Sequence, residues 1–319
     1  MTAQLEQKTE GARATGRQPR SSKPSSGNDH RRTERRFATW WWFTPALLAL
    51  VLIHYAPSAI GAFFAFTNWK GIGKWQFVGW DNFAAIAEGG PTTTALINTF
   101  IIGISFVVLT NVLGLLLALG LNRTVKSRNV IRTLIFAPVV LSSLATSYIW
   151  KFIFEQDGPL NEFLASIGLE SLQRTWLGDP STVLPAIIIV MVWQNVGLVM
   201  VMYLAGLATV SPELEEAASL DGASLWQRFN YVVLPAIMPS VVIAMTLMLI
   251  NGLRVFDQIQ ALTGGGPYGA SETLAVTIYK ETFVMGRFGF GAALALVMSV
   301  IIIILTVAQR LLLRTNSKG

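Results

Sequence analysis

Long uncharged runs separated by short polar segments dominate the pattern of this chain. Six runs of at least 18 residues contain no Asp, Glu, Lys or Arg, and no other uncharged run reaches that length. They cover 37–69, 89–122, 133–150, 180–212, 229–253 and 288–309. Because about 20 apolar residues cross the hydrocarbon of a bilayer, each run predicts one membrane-spanning helix. We place these helices near 40–66, 95–121, 131–153, 183–207, 236–256 and 289–312.

The composition agrees with a membrane protein. Of the 319 residues, 52% are hydrophobic and only 13% are charged, and the mean hydropathy is +0.52. Soluble globular proteins carry about 25% charged residues. We therefore predict an all-α, polytopic membrane protein with six transmembrane helices.

The residues that enzymes need for chemistry are missing from the sequence. There is no cysteine, which excludes disulfides, thiolate metal sites and cysteine nucleophiles. Neither HExxH nor GxSxG occurs, and Gly73-Lys74 is followed by Trp75, so there is no Walker A motif. The chain is therefore predicted not to be an enzyme and to have no nucleotide site of its own.

The distribution of Lys and Arg predicts the orientation. With the N-terminus in the cytoplasm, the tail 1–36, the segments 122–132 and 209–235, and the C-terminus hold nine, four, one and three of these residues. That is 17 of 24, as expected when basic segments stay inside. Both termini are thus predicted to be cytoplasmic. Residues 1–36 form a disordered basic tail, 37–315 the transmembrane domain, and 316–319 a short cytoplasmic tail.

A basic cluster ends the N-terminal tail, and an amphipathic stretch lies in an outer loop. The cluster (31–36) precedes the first apolar run, so it favours contact with anionic lipid headgroups over nucleic acid. The stretch 160–169 predicts a short helix. It lies either on the membrane surface or against a docking protein, and the pattern does not separate the two.

Polar side chains inside predicted spans suggest a function or specific packing. In chain order they are Asn111, Trp193, Gln194, Asn195, Asn251, Arg254 and Asp257. Amides and carboxylates can bind sugar hydroxyls, and an aromatic ring can pack on the C–H face of a sugar. The alternative is hydrogen bonding between helices for the amides and an ion pair between Arg254 and Asp257. His54, in the first span, favours helix packing over proton transfer.

The segment 209–235 is a charged, small-residue-rich interruption between two spans. Ser211 is a predicted N-cap with Pro212 at the first helical position. Gly222 supplies a helix end, and Ser224 with Gln227 predicts a capping box. We expect a helix of about nine residues, a bend, and a second short helix that ends where the next span begins. Spacing alone is equally compatible with an ordinary amphipathic loop.

This segment resembles the coupling loop of ATP-binding-cassette importer permeases, the EAA loop. The pattern is Glu-Ala-Ala, three residues, Gly, nine residues, a branched aliphatic residue, one residue, then Leu-Pro. Here its positions are Glu216, Ala217, Ala218, Gly222, Val232, Leu234 and Pro235. The resemblance implies that Glu216 forms a salt bridge to a partner ATPase, and that Ala217, Ala218 and Gly222 allow a close fit.

A second resemblance concerns the outer loop 256–283. Leu-Thr-x-Gly-Gly-Pro, then Glu-Thr-Leu and Ile-Tyr, is typical of the carbohydrate-uptake branch of these permeases, which includes the maltose and oligosaccharide type. Here these residues are Leu262, Thr263, Gly265, Gly266, Pro267, Glu272, Thr273, Leu274, Ile278 and Tyr279. The similarity covers roughly 40–315 and implies a fold like that of type I ABC importer permeases.

The two resemblances together imply the permease subunit of a binding-protein-dependent sugar importer that works by alternating access. Its partners would be a second permease, two ATPase subunits that bind ATP and magnesium, and an extracytoplasmic solute-binding protein; this chain would bind no cofactor. The implied substrate pathway comprises Trp193, Gln194, Asn195, Leu198, Asn251 and Asp257. An importer of another solute, or an ion-driven secondary transporter, is the alternative.

Overall fold

The computed structural model describes residues 42–122 and 127–315, with side chains as far as Leu313. The predicted tails 1–36 and 316–319, including the basic cluster, lie outside the described residues. Within the described ranges the secondary structure is helical, with one isolated β-bridge between Thr67 and Phe77. The prediction of an all-α protein is confirmed.

The described residues form twelve helices, which we number in chain order. These are α1 (Trp42–Phe64), α2 (Asp81–Ala87), α3 (Pro91–Leu121), α4 (Arg128–Phe136), α5 (Ser143–Ile153), α6 (Pro159–Ser166), α7 (Val183–Leu207), α8 (Pro212–Leu220), α9 (Leu225–Leu253), α10 (Asp257–Leu262), α11 (Leu274–Tyr279) and α12 (Phe288–Thr315). Short 3₁₀ or π turns follow α4 (Ala137–Val140) and α11 (Lys280–Val284). The outer helix predicted at 160–169 is α6.

Five of these helices, namely α1, α3, α7, α9 and α12, are long and apolar enough to cross a membrane. The sixth predicted span is a bent pair, because Arg128–Val140 and Ser143–Ile153 meet at 102°. Six spans therefore result when this pair counts as one.

The helix placed near 131–153 is a broken pair rather than one helix, with the break just after Pro138, a residue expected to kink it. Pro138 lies in a 3₁₀ turn and lacks the N–H of a regular helical hydrogen bond. Leu141 and Ser142 are extended, with ψ of 143° and 148°. Ser142 then caps α5, since its Oγ accepts a hydrogen bond from the Ala145 N–H at 3.2 Å. The chain thus ends one helix and starts another inside the predicted span.

The fifth span also differs from its prediction. It begins at Leu225 rather than near residue 236, because the π-turn Phe229–Val233 joins the short helix to the span without a break. It ends at Leu253, and Arg254 has left the helix, with φ −100° and ψ 9°. The three-residue spacing of Asn251, Arg254 and Asp257 predicts that they share one face of a helix. Because the helix ends at Leu253, they do not.

The chain divides into two compact units, one ending at Ser58 and the other beginning at Ala59. In the first, the Ser58 hydroxyl donates to the His54 carbonyl at 2.8 Å. In the second, α3, α7 and α9 pack against one another. Gly103 and Gly252 meet where α3 crosses α9; a Cβ on Gly252 would lie 3.1 Å from the Gly103 Cα. Close contact through small residues is the usual packing mode of membrane helices.

The loop after α10 is held to the start of α3 by hydrogen bonds. The Asn98 side-chain amide donates to the carbonyls of Ala270 and Glu272, both at 3.0 Å. The Thr99 hydroxyl accepts from the Leu274 N–H at 2.9 Å. Both α3 side chains are buried. The loop is therefore an ordered part of the helical unit, fixed to α3 by these hydrogen bonds.

Candidate functional site

The 209–235 segment has the predicted helix–bend–helix form. Helix α8 has nine residues and starts with Pro212 at the first position. It ends in a Schellman motif, in which the Ala223 N–H donates to the Ala218 carbonyl at 3.0 Å and the Gly222 N–H to Ser219 at 3.2 Å. Gly222 has φ +80°, the left-handed conformation that this motif requires. The predicted helix end is confirmed.

The two predicted caps of this segment have different outcomes. At Ser224 the capping box is present, because its N–H donates to Gln227 Oε1 at 2.8 Å and its Oγ accepts from the Gln227 N–H at 3.3 Å. Ser211 stands at the N-cap of α8, but its hydroxyl donates to the Glu213 carboxylate instead of accepting from the backbone. This hydrogen bond lowers the pKa of Glu213.

Most of the side chains that match the EAA pattern are exposed. Glu216, Ala217, Gly222 and Pro235 are exposed, and Ala218 and Leu234 are half-buried. Two large apolar side chains beside them are also exposed, Leu220 at 89% and Trp226 at 72%. The segment therefore presents a carboxylate and an apolar surface on the same side of the helical unit as the ends of α3 and α7.

A second feature is a cavity of about 550 Å³ at the two helix breaks. It is bordered by the α4–α5 break, the middle of α7 and the α9–α10 junction. The lining residues are Phe106, Val139, Leu141, Ser142, Ser143, Met191, Gln194, Asn195, Asn251, Arg254, Val255, Phe256, Asp257 and Gln258. The ends of α4 and α9 and the starts of α5 and α10 lie at the cavity. Discontinuous helices meet in this way at many transporter binding sites.

Of the six residues implied for the substrate pathway, four line this cavity: Gln194, Asn195, Asn251 and Asp257. The other two do not line it. Trp193 packs edge-on against Trp150, with ring centroids 5.5 Å apart, and Leu198 packs against the apolar core.

Two of these amides are already engaged in hydrogen bonds. Gln194 Nε2 donates to the Leu141 carbonyl at 2.9 Å, and its Oε1 accepts from Gln258 at 3.1 Å. The Asn195 amide donates to Met191, one turn earlier in the same helix, at 2.9 Å. Asn251 and Asp257, in contrast, are exposed to the cavity. The cavity thus has both braced and free polar side chains.

Of the alternatives for the polar residues, one applies and one does not. Asn111 bonds between helices, since its Oδ1 accepts from the Tyr203 hydroxyl at 2.6 Å. Among the described residues the ion pairs are Lys280–Glu272 and Arg287–Glu281, so Arg254 and Asp257 do not form one. Their opposite charges both line the cavity without pairing.

Sequence reasoning missed several cavity residues. Ser142 and Ser143 have a local signal, because serine after a proline-containing turn is a usual helix start. Gln258 had no such signal, since its partner Gln194 is 64 positions away. Arg254 was considered as an ion-pair partner and lines the cavity instead.

The sequence and the structure were each found to be similar to known proteins. The sequence profile of the family described as binding-protein-dependent transport system inner membrane component matches residues 110–318. The chain is 34% identical over 280 residues to a multiple sugar-binding transport system permease protein of Streptococcus mutans, covering 88% of this chain and 96% of that protein. It is 30% identical over 264 residues to a trehalose/maltose transport system permease protein of Thermococcus litoralis, covering 82% and 88%.

Among solved structures, a chain of a bacterial ABC transporter that imports the acidic polysaccharide alginate matches with a TM-score of 0.78. The two chains are 23% identical, and the match covers 90% of this chain and 98% of that chain. At this identity the likeness concerns the fold alone.

Proposed function

Because the chain belongs to the family of binding-protein-dependent transport system inner membrane components, we propose that it is the permease subunit of an ATP-driven sugar importer. Members of this family are transport subunits rather than enzymes. The sugars named for its relatives support carbohydrate as the substrate class.

The observation that carries this proposal is the polar cavity at the helix breaks. A sugar offers many hydroxyl groups that both donate and accept, so its site needs donors and acceptors on several sides. Asn251 offers both, Arg254 offers donors and Asp257 offers acceptors, and all three line the cavity. The half-buried ring of Phe256, which also lines the cavity, supplies apolar surface for the C–H face of a sugar. The volume of about 550 Å³ lies in the range of small-molecule sites.

Coupling to ATP hydrolysis runs through the 209–235 segment. Helix α8 docks on a partner ATPase, with Glu216 in an ion pair and Ala217, Ala218 and Gly222 giving a close fit. From there α9 runs as one helix from Leu225 to Leu253, about 43 Å at 1.5 Å per residue. Asn251 lies at its far end, so a movement at the ATPase reaches the cavity wall. ATP-driven closure then turns the cavity outward, and its reversal turns it inward.

The proposed complex also contains a second permease subunit and a second ATPase. ATP and magnesium bind the ATPases and not this chain. An extracytoplasmic solute-binding protein delivers the sugar on the outer side, and both termini of this chain lie in the cytoplasm. The chain is an inner membrane component, and its apolar helices contact lipid.

The proposal is tested by reconstituting the transporter with its co-encoded partners in proteoliposomes and measuring ATP-dependent uptake of a panel of labelled sugars and amino acids. We expect uptake of at least one sugar. Asn251→Ala should reduce its apparent affinity about tenfold, which corresponds to about 1.4 kcal/mol, the loss of one to two hydrogen bonds. Ser299→Ala, exposed on α12, is the control and should behave as wild type. Uptake of amino acids alone, or uptake driven by an ion gradient without ATP, would contradict the proposal.

A second measurement addresses coupling. Glu216→Lys should leave the protein in the membrane, because the side chain is exposed, but should abolish co-purification of the ATPase. Glu213→Lys, on the same helix and also exposed, is the matched control and should retain the ATPase. If both variants retain it and take up sugar normally, the coupling assignment fails.

A further inference from the structure

A cleft of about 660 Å³ opens at the end of the helical unit that carries the 209–235 segment. One wall is the last part of α3, and the other is the end of α7 with the start of α9. The lining residues are Val112, Leu115, Leu116, Leu119, Asn122, Leu207, Glu215, Leu225, Trp226, Arg228, Phe229 and Val233. The wall from Val112 to Asn122 runs about 15 Å along α3. It is apolar except at its end.

The mouth of this cleft is polar and carries charges of both signs. A smaller hollow of about 490 Å³ shares Glu215 and Arg228 with the cleft and adds Glu216 and Ser219. Arg228 and Glu215 are both half-buried and, among the described residues, do not form an ion pair with each other. Among the described residues, the Arg228 Nε is buried without a hydrogen-bond partner. Arg228 is therefore a half-buried cation with no ion-pair partner among the described residues, which favours an external anionic acceptor in the cleft.

The position of the cleft limits what this acceptor can be. Val112 and Leu116 are exposed on a helix that is long and apolar enough to cross a membrane, so the apolar wall lies at the depth of the hydrocarbon. At the mouth, Trp226 is exposed and lies beside Phe229, with ring centroids 6.0 Å apart. Aromatic side chains at this position are typical of the headgroup level. The cleft therefore joins the headgroup region to the acyl-chain region along one helix.

We propose that this cleft binds one phospholipid with a primary-ammonium headgroup, of the phosphatidylethanolamine type. The phosphate accepts hydrogen bonds from the Arg228 guanidinium, and the ammonium group donates to Glu215. One acyl chain lies along Val112–Leu119. A trimethylammonium headgroup has no N–H to donate, and an anionic glycerol headgroup meets Glu215 without a cation. The paired charges of the site therefore select the zwitterionic lipid with a free amine.

This site touches the segment that we propose couples ATP hydrolysis to transport, but its binding chemistry is independent of the sugar. The inference needs only that the helices span a membrane. Lipid binding and sugar uptake are measured separately, so either can fail without the other.

The test uses the whole transporter, purified with its partner subunits and stripped of lipid by detergent exchange. Native mass spectrometry then measures binding of phosphatidylethanolamine, phosphatidylcholine and phosphatidylglycerol with identical acyl chains. We expect one phosphatidylethanolamine per copy of this chain, bound at least about tenfold more tightly than the other two. Arg228→Gln and Glu215→Gln should each weaken it about tenfold, the scale of one lost charge-assisted hydrogen bond.

Arg310→Gln is the matched control, because Arg310 is an exposed arginine on α12 and does not line the cleft. It should bind the lipid as wild type does, and thermal unfolding should show that all variants remain folded. Equal binding of phosphatidylcholine would reduce the cleft to an apolar groove and overturn the proposal. So would unchanged binding in Arg228→Gln, or a cross-link from Trp226→Cys to the ATPase with no lipid retained.

Discussion

Gln194 braces two walls of the cavity with one side chain. Its Nε2 donates to the Leu141 carbonyl at the α4–α5 break, and its Oε1 accepts from the Gln258 amide on α10. The side chain is 6% exposed, and both ends of the amide are already bonded. With both of these bonds formed, Gln194 positions the two helix breaks. Asn251 and Asp257 remain available to bind a ligand.

This assignment predicts different effects for two neighbouring amides. Gln194→Met keeps the size of the side chain but removes two hydrogen bonds between elements, so it should lower the free energy of unfolding by about 1–3 kcal/mol. Asn195→Leu removes only a bond within its own helix and should change stability by less than about 1 kcal/mol. Thermal unfolding in detergent compares them. Equal melting temperatures would show that Gln194 is not a brace.

Gly222 gives a second prediction at the level of a single residue. A Cβ there meets nothing within 4 Å, so the positive φ alone opposes substitution within this chain. We expect Gly222→Val to destabilise the fold by about 1–2 kcal/mol and Gly222→Asn by less, because asparagine tolerates this conformation. Thermal unfolding of the two variants measures this difference. Loss of uptake in Gly222→Asn despite normal stability would point instead to a close contact with the ATPase.

The sequence predicts polar residues in spans better than it predicts their partners. Asn111 could be flagged because an amide within a hydrophobic run is costly. Its partner Tyr203 is 92 positions away, and only the packing of α3 on α7 brings them together. The same applies to Gln194 and Leu141, which are 53 positions apart. Helix caps such as Ser224–Gln227 were predictable because both partners lie within one turn.

At the level of elements, the continuity of α9 has a mechanical consequence. Leu225–Leu253 is one helix through the π-turn Phe229–Val233. The same helix therefore connects the 209–235 segment to the cavity. The sequence suggested two elements because Leu234-Pro235 is typical of a helix start. Proline is tolerated here because the π-turn precedes it, and the position after a π-turn does not require its N–H in the regular pattern.

Loosening this helix should uncouple the two ends. Replacing Asn230 and Tyr231 by glycine removes about 2 kcal/mol of helix stability relative to alanine at both positions. We expect the glycine pair to hydrolyse ATP without sugar uptake, and the alanine pair to retain both. Measurement of both rates in the same proteoliposomes gives the ratio of sugar to ATP. An unchanged ratio in the glycine pair would mean that α9 does not transmit the movement.

The third span shows the limit of hydropathy at the level of elements. Its uncharged run is long enough for one helix, but Pro138 and the extended pair Leu141–Ser142 turn the chain by 102°. The sequence contains Pro138 and a capping serine, which predict a kink. It does not contain the angle, because that depends on how α5 packs beside α7 and α10. Broken backbone at membrane depth is tolerated only where protein or a cavity satisfies it.

For the whole molecule, the fold class can be predicted from composition and hydropathy. The cavity cannot be predicted from them. The six uncharged runs and the low fraction of charged residues suffice to predict a helical membrane protein. The cavity forms only where the α4–α5 break, the middle of α7 and the α9–α10 junction meet. Trp193 and Leu198 show the consequence, because they match the sequence pattern but lie outside the cavity lining.

The orientation of the whole molecule rests on the Lys and Arg distribution and is a prediction that labelling can decide. The chain has no cysteine, so a single introduced thiol reports one position. Ser166 on α6 and Ser219 on α8 are both exposed, and α7 alone lies between their loops as a span. A membrane-impermeant maleimide should label Ser166→Cys in right-side-out vesicles and Ser219→Cys only in inverted ones. The reverse pattern would mean that the basic segments face outward, against the positive-inside rule. Labelling of both from one side would mean that α7 does not cross the membrane. In that case α6 and α8 would lie on the same side, and the binding protein and the ATPase could not contact them from opposite sides.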